Sequence, residues 1–301
     1  MDAGFAAVRR RRQGAMMTST APKPSSRALA TTLALVILAI LAFAGNSLLT
    51  RAALADGAMG VGAFTGLRLA SGAVALVAIA LATGRQPWPG KPNAPGIIAL
   101  FGYAACFTLA YRSIGAATGA LVLFASVQVS MAGLAALRGE RPSATQALGL
   151  ALAMAGLVWL LAPGLSAPPL GASLLMVAAG ASWGVYTLYG RGKVDAVTQT
   201  ARNFVGAAPL GLLFWVAQPE GLTTTGVALA IASGALTSGL GYVIWYAALP
   251  ALSASTAGAV QLLVPAVAAA GGLIWLGEPL TAALAGATLL ILAGIALTLK
   301  R

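Results

Sequence analysis

Long apolar runs separated by short polar connections dominate the chain, at about 28–49, 61–83, 95–112, 117–137, 144–161, 169–190, 198–217, 225–248, 254–276 and 280–299. Each is near the roughly 20 residues that a helix needs to cross a bilayer. The runs show no period-two alternation, so the backbone in lipid is satisfied within helices rather than in a barrel. The pattern predicts an all-α polytopic membrane protein with ten transmembrane helices. The closely spaced pairs at 95–137 and 254–299 are where two spans are hardest to separate.

The pattern also repeats. Leu137–Leu161 and Trp275–Leu299 each place Gly-Glu at the end of an apolar run, a proline within two residues, a glycine seven residues after the proline, and a later Ala-Gly pair. Gly102-Tyr103 returns as Gly241-Tyr242, Thr118 as Thr256, Arg68 as Arg202, and Ala44-Gly45-Asn46 aligns with Trp183-Gly184-Val185. Five spans per copy is an odd number, so the second copy must enter the membrane upside down. The predicted organisation is a disordered cytoplasmic arm at 1–27, a first five-helix repeat at 28–161 and an inverted second repeat at 162–301. Such repeats place a substrate site near the midplane where the halves meet.

Charge sets the expected orientation. With the N-terminus inside, the cytoplasmic loops collect Arg9–Arg12, Lys23, Arg27, Arg85, Lys91, Arg138, Arg141, Arg191, Lys193, Lys300 and Arg301. Arg51 and Arg112 alone fall outside, and Arg68 and Arg202 fall within spans. That asymmetry puts both termini in the cytoplasm, and the expected location is a bacterial-type inner membrane.

Composition closes off several classes. With 59% hydrophobic and 8% charged residues and a mean hydropathy of +0.90, the chain is too apolar for a soluble domain. Its net charge of +12 sits between apolar runs rather than on a folded basic surface, which argues against a nucleic-acid partner. One cysteine, Cys106, and no histidine leave no disulfide and no Cys/His metal site, so no metal or cofactor is expected. Gly180-Ala181-Ser182-Trp183-Gly184 fits a nucleophile-elbow spacing, but it lies inside an apolar run with no histidine to activate the serine. Glycines four apart read better as a close-packing surface between helices. Gly84–Lys91 is one residue too long for a P-loop and is followed by Pro92 instead of Ser/Thr. Neither an enzyme nor an ATP-driven pump is expected.

Phe43-Ala44-Gly45-Asn46-Ser47, Ala181-Ser182-Trp183-Gly184-Val185-Tyr186, the paired Arg68 and Arg202 and the two Gly-Glu-(Arg)-Pro junctions resemble the drug/metabolite transporter superfamily, in its ten-helix, two-repeat EamA-type branch. The resemblance runs from about 28 to 299 and is nearest to the YddG-type exporters of aromatic and other amino acids. Phe43-Ala44 departs from it, since a tryptophan commonly precedes the glycine there. The resemblance implies a secondary transporter that exports amino acids by alternating access. Another small metabolite or drug, or a non-transporting scaffold, is the competing reading. The partners expected are a small-molecule substrate and lipid, with oligomeric state left open.

Candidate binding residues follow from spacing and depth. Tyr103 and Phe107 in span three, Trp183 and Tyr186 in span six, and Tyr242 and Trp245 in span eight are spaced three or four apart on single helix faces. Tyr103, Trp183, Tyr186 and Tyr242 lie further from the charged loops and either line a cavity or belong to an interfacial belt, which Trp88, Trp159, Tyr111 and Tyr246 fit better. Asn46, Gln128 and Gln261 are amides at depth that can bind substrate or bond between helices. Pro265 should free the carbonyl of Gln261. Arg68 and Arg202 have a structural or gating role, or bind a carboxylate; Gly45 and Gly184 let helices slide. Glu140 and Glu278, at span ends, are expected to cap the helices that follow them. No carboxylate or histidine lies within a span, so transport should follow the substrate's own gradient.

Overall fold

The computed structural model describes residues 26–55, 57, 59–87, 93–137, 143–161, 167–190, 195–252, 260–261 and 263–298. The arm at 1–25, Trp88, Glu140 and Thr256 lie outside them. Two units are distinguished, Met1–Ala34 and Leu35–Arg301. Of the first, the described part is the mostly exposed opening of a helix. The second holds everything that follows.

The described residues are helical, with no strand among them. In order these are α1 (Ser26–Leu54), α2 (Val61–Ala82), α3 (Ala94–Tyr111), α4 (Ala116–Leu137), α5 (Ala144–Leu161), α6 (Leu170–Gly190), α7 (Ala196–Ala217), α8 (Thr224–Ala251), α9 (Leu263–Trp275) and α10 (Ala282–Thr298). Seven of them are long and apolar enough to cross a membrane, and α9 and α10 are shorter apolar helices. The remaining one, α7, has length enough but carries Gln199, Arg202 and Asn203 near its start. The ten predicted runs correspond to these ten helices in order, and the chain is a polytopic membrane protein.

Local chemistry sets the ends. Asp195 caps α7 by accepting from the amides of Val197 and Thr198, and Thr223 caps α8 by accepting from Gly226 at 3.0 Å. Gly84, in the left-handed region at φ 68°, ends α2: its own amide reaches Leu81 O and that of Arg85 reaches Ala80 O, which directs Arg85 towards Asp195.

Contacts at the helix ends fix the topology. At one end Arg51, closing α1, meets Glu278 between α9 and α10 at 3.0 Å, and the Glu278 carboxylate accepts from the Ala116 amide that opens α4. Gly60 before α2 bonds to Gly221 before α8, Arg112 after α3 pairs with Glu220, and Pro168 and Pro169 before α6 share a recess with Arg51 and Glu278. At the other end Arg85 after α2 pairs with Asp195 before α7, and Asn93 before α3 meets Asn203. So α1 ends where α6 begins, α2 begins where α7 ends, α3 ends where α8 begins and α4 begins where α9 ends. The two five-helix sets are inverted with respect to each other.

The closest pairings cross between the sets: α2 with α7, α5 with α10, and α3 and α4 with α6. The α5–α10 seam is built from the repeated Ala-Gly pairs. A Cβ on Gly294 would lie 2.5 Å from both Ala153 N and Gly149 O, and one on Gly156 would lie 2.7 Å from Ile291. Backbone contact this close in lipid rests on small residues.

Candidate functional site

Where α1, α3, α4, α6 and α8 converge, Phe43, Asn46, Ser47, Tyr103, Phe107, Leu123, Phe124, Trp183 and Tyr242 line a narrow cavity. Its free space is about 10 Å³, enough for roughly one water. Aromatic rings make most of the wall. Trp183 lies 5.1 Å from Tyr103 and 4.8 Å from Tyr242 between centroids, and Phe43 sits edge-on to Trp183, Tyr242 and Trp245 at 6.0, 6.1 and 5.8 Å. Tilted and edge-on pairs at these distances are the arrangements that ring quadrupoles favour.

Asn46 is the polar centre. It is buried, its Nδ2 donates to the Tyr103 hydroxyl at 3.1 Å, and its Oδ1 accepts from Ser233 at 2.8 Å and Thr237 at 3.4 Å. The amide joins α1 and α3 of one set to α8 of the other. A satisfied neutral dipole of this kind avoids the cost of a buried unpaired polar group.

The winding of α8 makes this possible. Between its α-helical parts, Thr224–Ala232 and Gly241–Ala248, residues Ser233–Leu240 form a π-helix. Hydrogen bonding from i to i+5 brings residues five apart onto one side, which α winding would separate by about 140°. Ser233 therefore meets Asn46 while Ser238 accepts from Arg68 Nε at 3.1 Å. Gly234 lets the segment close onto α2, since a Cβ there would lie 2.2 Å from the Arg68 carbonyl.

Of the residues singled out from sequence, Asn46, Tyr103, Phe107, Trp183 and Tyr242 line the cavity together. Tyr186 and Trp245 form the layer behind it, Tyr186 stacked on Trp183 at 5.4 Å. Gln261 is buried and Gln128 half-buried, and neither is among the lining residues. Pro265 is buried in the opening turn of α9 (Leu263–Trp275), where a missing amide proton is tolerated, and Leu262 before it lies outside the described residues. Gly45 faces Thr237 at 3.4 Å and Gly184 faces Ser130 at 3.1 Å, measured from an added Cβ, so both mark close helix approaches. Arg202 is half-buried and donates from Nε to Pro87 O at 3.1 Å.

Phe43, Ser47, Leu123 and Phe124 were not among the candidate binding residues. The first two had a signal: Phe43, Asn46, Ser47 and Thr50 follow helical spacing and all four are buried. Ser238 had none, because it joins the side of the helix that carries Ser233 only in π winding; Ser233 and Thr237, four apart, share a face in any helix, but nothing in the sequence marked that face.

Two expectations are corrected. Tyr111 belongs to no interfacial belt: it is fully buried, edge-on to Phe107 at 4.6 Å, and its hydroxyl donates to Ala116 O at 3.3 Å. Glu278 does not cap the helix that follows it. Gly277, at φ 64°, reverses the chain after α9 so that the Glu278 amide bonds back to Gly272 O, and the carboxylate turns inward to α4 and Arg51. Thr281 caps α10 instead, accepting from Leu284 N at 3.1 Å. The Arg51 guanidinium also donates to Tyr111 O and Arg112 O, completing a link between three helix ends beside a recess of about 280 Å³. The Gly180–Gly184 spacing is a packing device: a Cβ on Gly180 would lie 2.6 Å from Leu123 O on α4.

The sequence model of the EamA-like transporter family matches residues 30–162 and again 170–300. An uncharacterized protein of Pseudomonas aeruginosa is 50% identical over 270 residues, covering 89% of this chain and 94% of its own length. A solved crystal structure shares the fold with a TM-score of 0.65 at 22% identity, over 89% of this chain and 97% of that one.

Proposed function

Because the chain belongs to the EamA-like transporter family, within the drug/metabolite transporter superfamily, we propose that it is a secondary carrier exporting amino acids, aromatic and other neutral ones, across a bacterial inner membrane. The observation that carries this reading is the aromatic cavity centred on Asn46 where the two inverted sets meet. Rings supply apolar contact and attraction to an ammonium group, and neutral amide and hydroxyl groups supply orientation. Cross-set ties at both helix ends, and a cavity with room for one water, fit a closed member of an alternating-access cycle. Substrate entry then requires one set of ties to part.

Among the described residues no carboxylate is buried within a span, which supports movement down the substrate's own gradient. With both termini in the cytoplasm, as the arginine and lysine placement favours, the Glu278 end faces outward.

Counterflow in proteoliposomes tests the reading. Preloaded tryptophan or methionine should drive uptake of labelled amino acid with no imposed proton gradient. Flux that needs a pH gradient would refute the coupling, and flux of neither amino acid would refute the substrate class.

A further inference from the structure

Arg68 is the one charged residue buried within the helices among the described residues, at 1% exposure. Its guanidinium lies 5.2 Å from the Tyr103 ring and 4.9 Å from the Phe107 ring, two rings that wall the central cavity. One nitrogen, Nε, donates to Ser238; another, Nη1, is buried with no hydrogen-bond partner. No carboxylate pairs with it among the described ion pairs, which lie at the helix ends.

Its counterpart in the second repeat, Arg202, sits half-exposed near a helix end on a backbone carbonyl. The two arginines therefore do not share one structural role. A cation deep in lipid with a spare donor is costly unless an anion or a water-filled space meets it. Two π faces and one hydroxyl offset part of that cost and leave the Nη1 donor free. A planar fork of this kind suits a carboxylate, which it can meet with two parallel hydrogen bonds.

We propose that Arg68 is the carboxylate-binding residue of the central site, so that every good substrate bears a carboxylate beside its apolar side chain. This rests on the carrier reading above and narrows it. When the cavity opens, Tyr103 and Phe107 move off the guanidinium and the carboxylate takes their place at Nη1. The Phe43, Trp183 and Tyr242 rings hold the side chain. The Ser238 contact keeps Nε fixed, which makes the π segment part of the site.

The test compares tryptophan and indole-3-acetate with tryptophanamide and tryptamine as competitors of labelled tryptophan flux in proteoliposomes of the full chain. The expected result is competition by both carboxylates and at least tenfold weaker competition by both amines. Arg68→Gln should raise the tryptophan concentration needed for half-maximal flux tenfold or more and level the four competitors, while Arg68→Lys recovers part of the discrimination. Should Arg68→Gln fail to insert, wild-type competition alone decides. Equal competition by tryptamine and tryptophan would overturn the carboxylate assignment and leave the carrier standing. No flux with any carboxylate would instead overturn the carrier reading itself.

Discussion

At the scale of single residues, Asn46 and Asp195 show the two ways a polar group is used in this fold. Asn46 joins α1, α3 and α8 through three hydrogen bonds. Interhelical hydrogen bonds in membranes average ~0.6 kcal/mol each, so Asn46→Ala should cost about 2 kcal/mol in detergent unfolding and reduce flux several-fold while the protein still inserts. Full flux with unchanged stability would show that the amide is dispensable. Asp195 works at a helix end. Partial burial disfavours its charge, but the Thr198 hydroxyl and amide, Arg85 and the Val197 amide outweigh that and hold its carboxyl below the ordinary range. A lowered carboxylate contributes stability fully above its unfolded pKa of about 3.9 and loses it as pH falls through the folded value. The melting temperature should therefore drop in acid below about pH 4, and Asp195→Asn should reduce that drop and lower the plateau at neutral pH.

At the scale of elements, the small residues decide how helices meet. Gly294→Val on α10 would push a side chain into the α5 backbone, where even a Cβ lies 2.5 Å from Ala153 N and Gly149 O. Loss of the folded, monodisperse protein in size-exclusion chromatography is expected, whereas Gly171→Ala, with nothing within 4 Å, should be silent. The recurrence of the Ala-Gly pair in both halves was legible in the sequence, whereas its use as the α5–α10 seam was not. The ten helices were legible too, since apolar length alone defines a span. The π segment of α8 was not: Ser233–Leu240 reads as an ordinary small-residue run, and winding that depends on contacts from α1 and α2 leaves no local mark. Glu278 was misjudged for a related reason, as its inward turn depends on the left-handed Gly277 and on an amide 162 residues away. Gln128 and Gln261 do not line the cavity, and depth along a span, which singled them out, does not report which face a side chain occupies.

At the scale of the whole molecule, the two ends hold different kinds of tie. The Glu278 end is bridged by Arg51–Glu278, Arg112–Glu220 and the Gly60–Gly221 backbone bond; the Asp195 end by Arg85–Asp195 and the Asn93–Asn203 contact. A working carrier must break one group while the other holds. Replacing Arg112 and Glu220 by cysteine in a Cys106→Ser background, then bridging them with a short thiol cross-linker, should stop exchange. Cleaving the bridge should restore it. Exchange that continues with the bridge in place would mean that this end need not open.

The α5–α10 contact carries an implication about assembly. Each copy offers the other a similar backbone-to-backbone surface, Gly156 against Ala287 and Ile291 and Gly294 against Gly149 and Ala153, as in a self-complementary dimer. Half of this chain, made as a separate polypeptide, would find its mate simply by another molecule inserting the opposite way round. Two genes cut between 162 and 170 should thus rebuild the protein when expressed together.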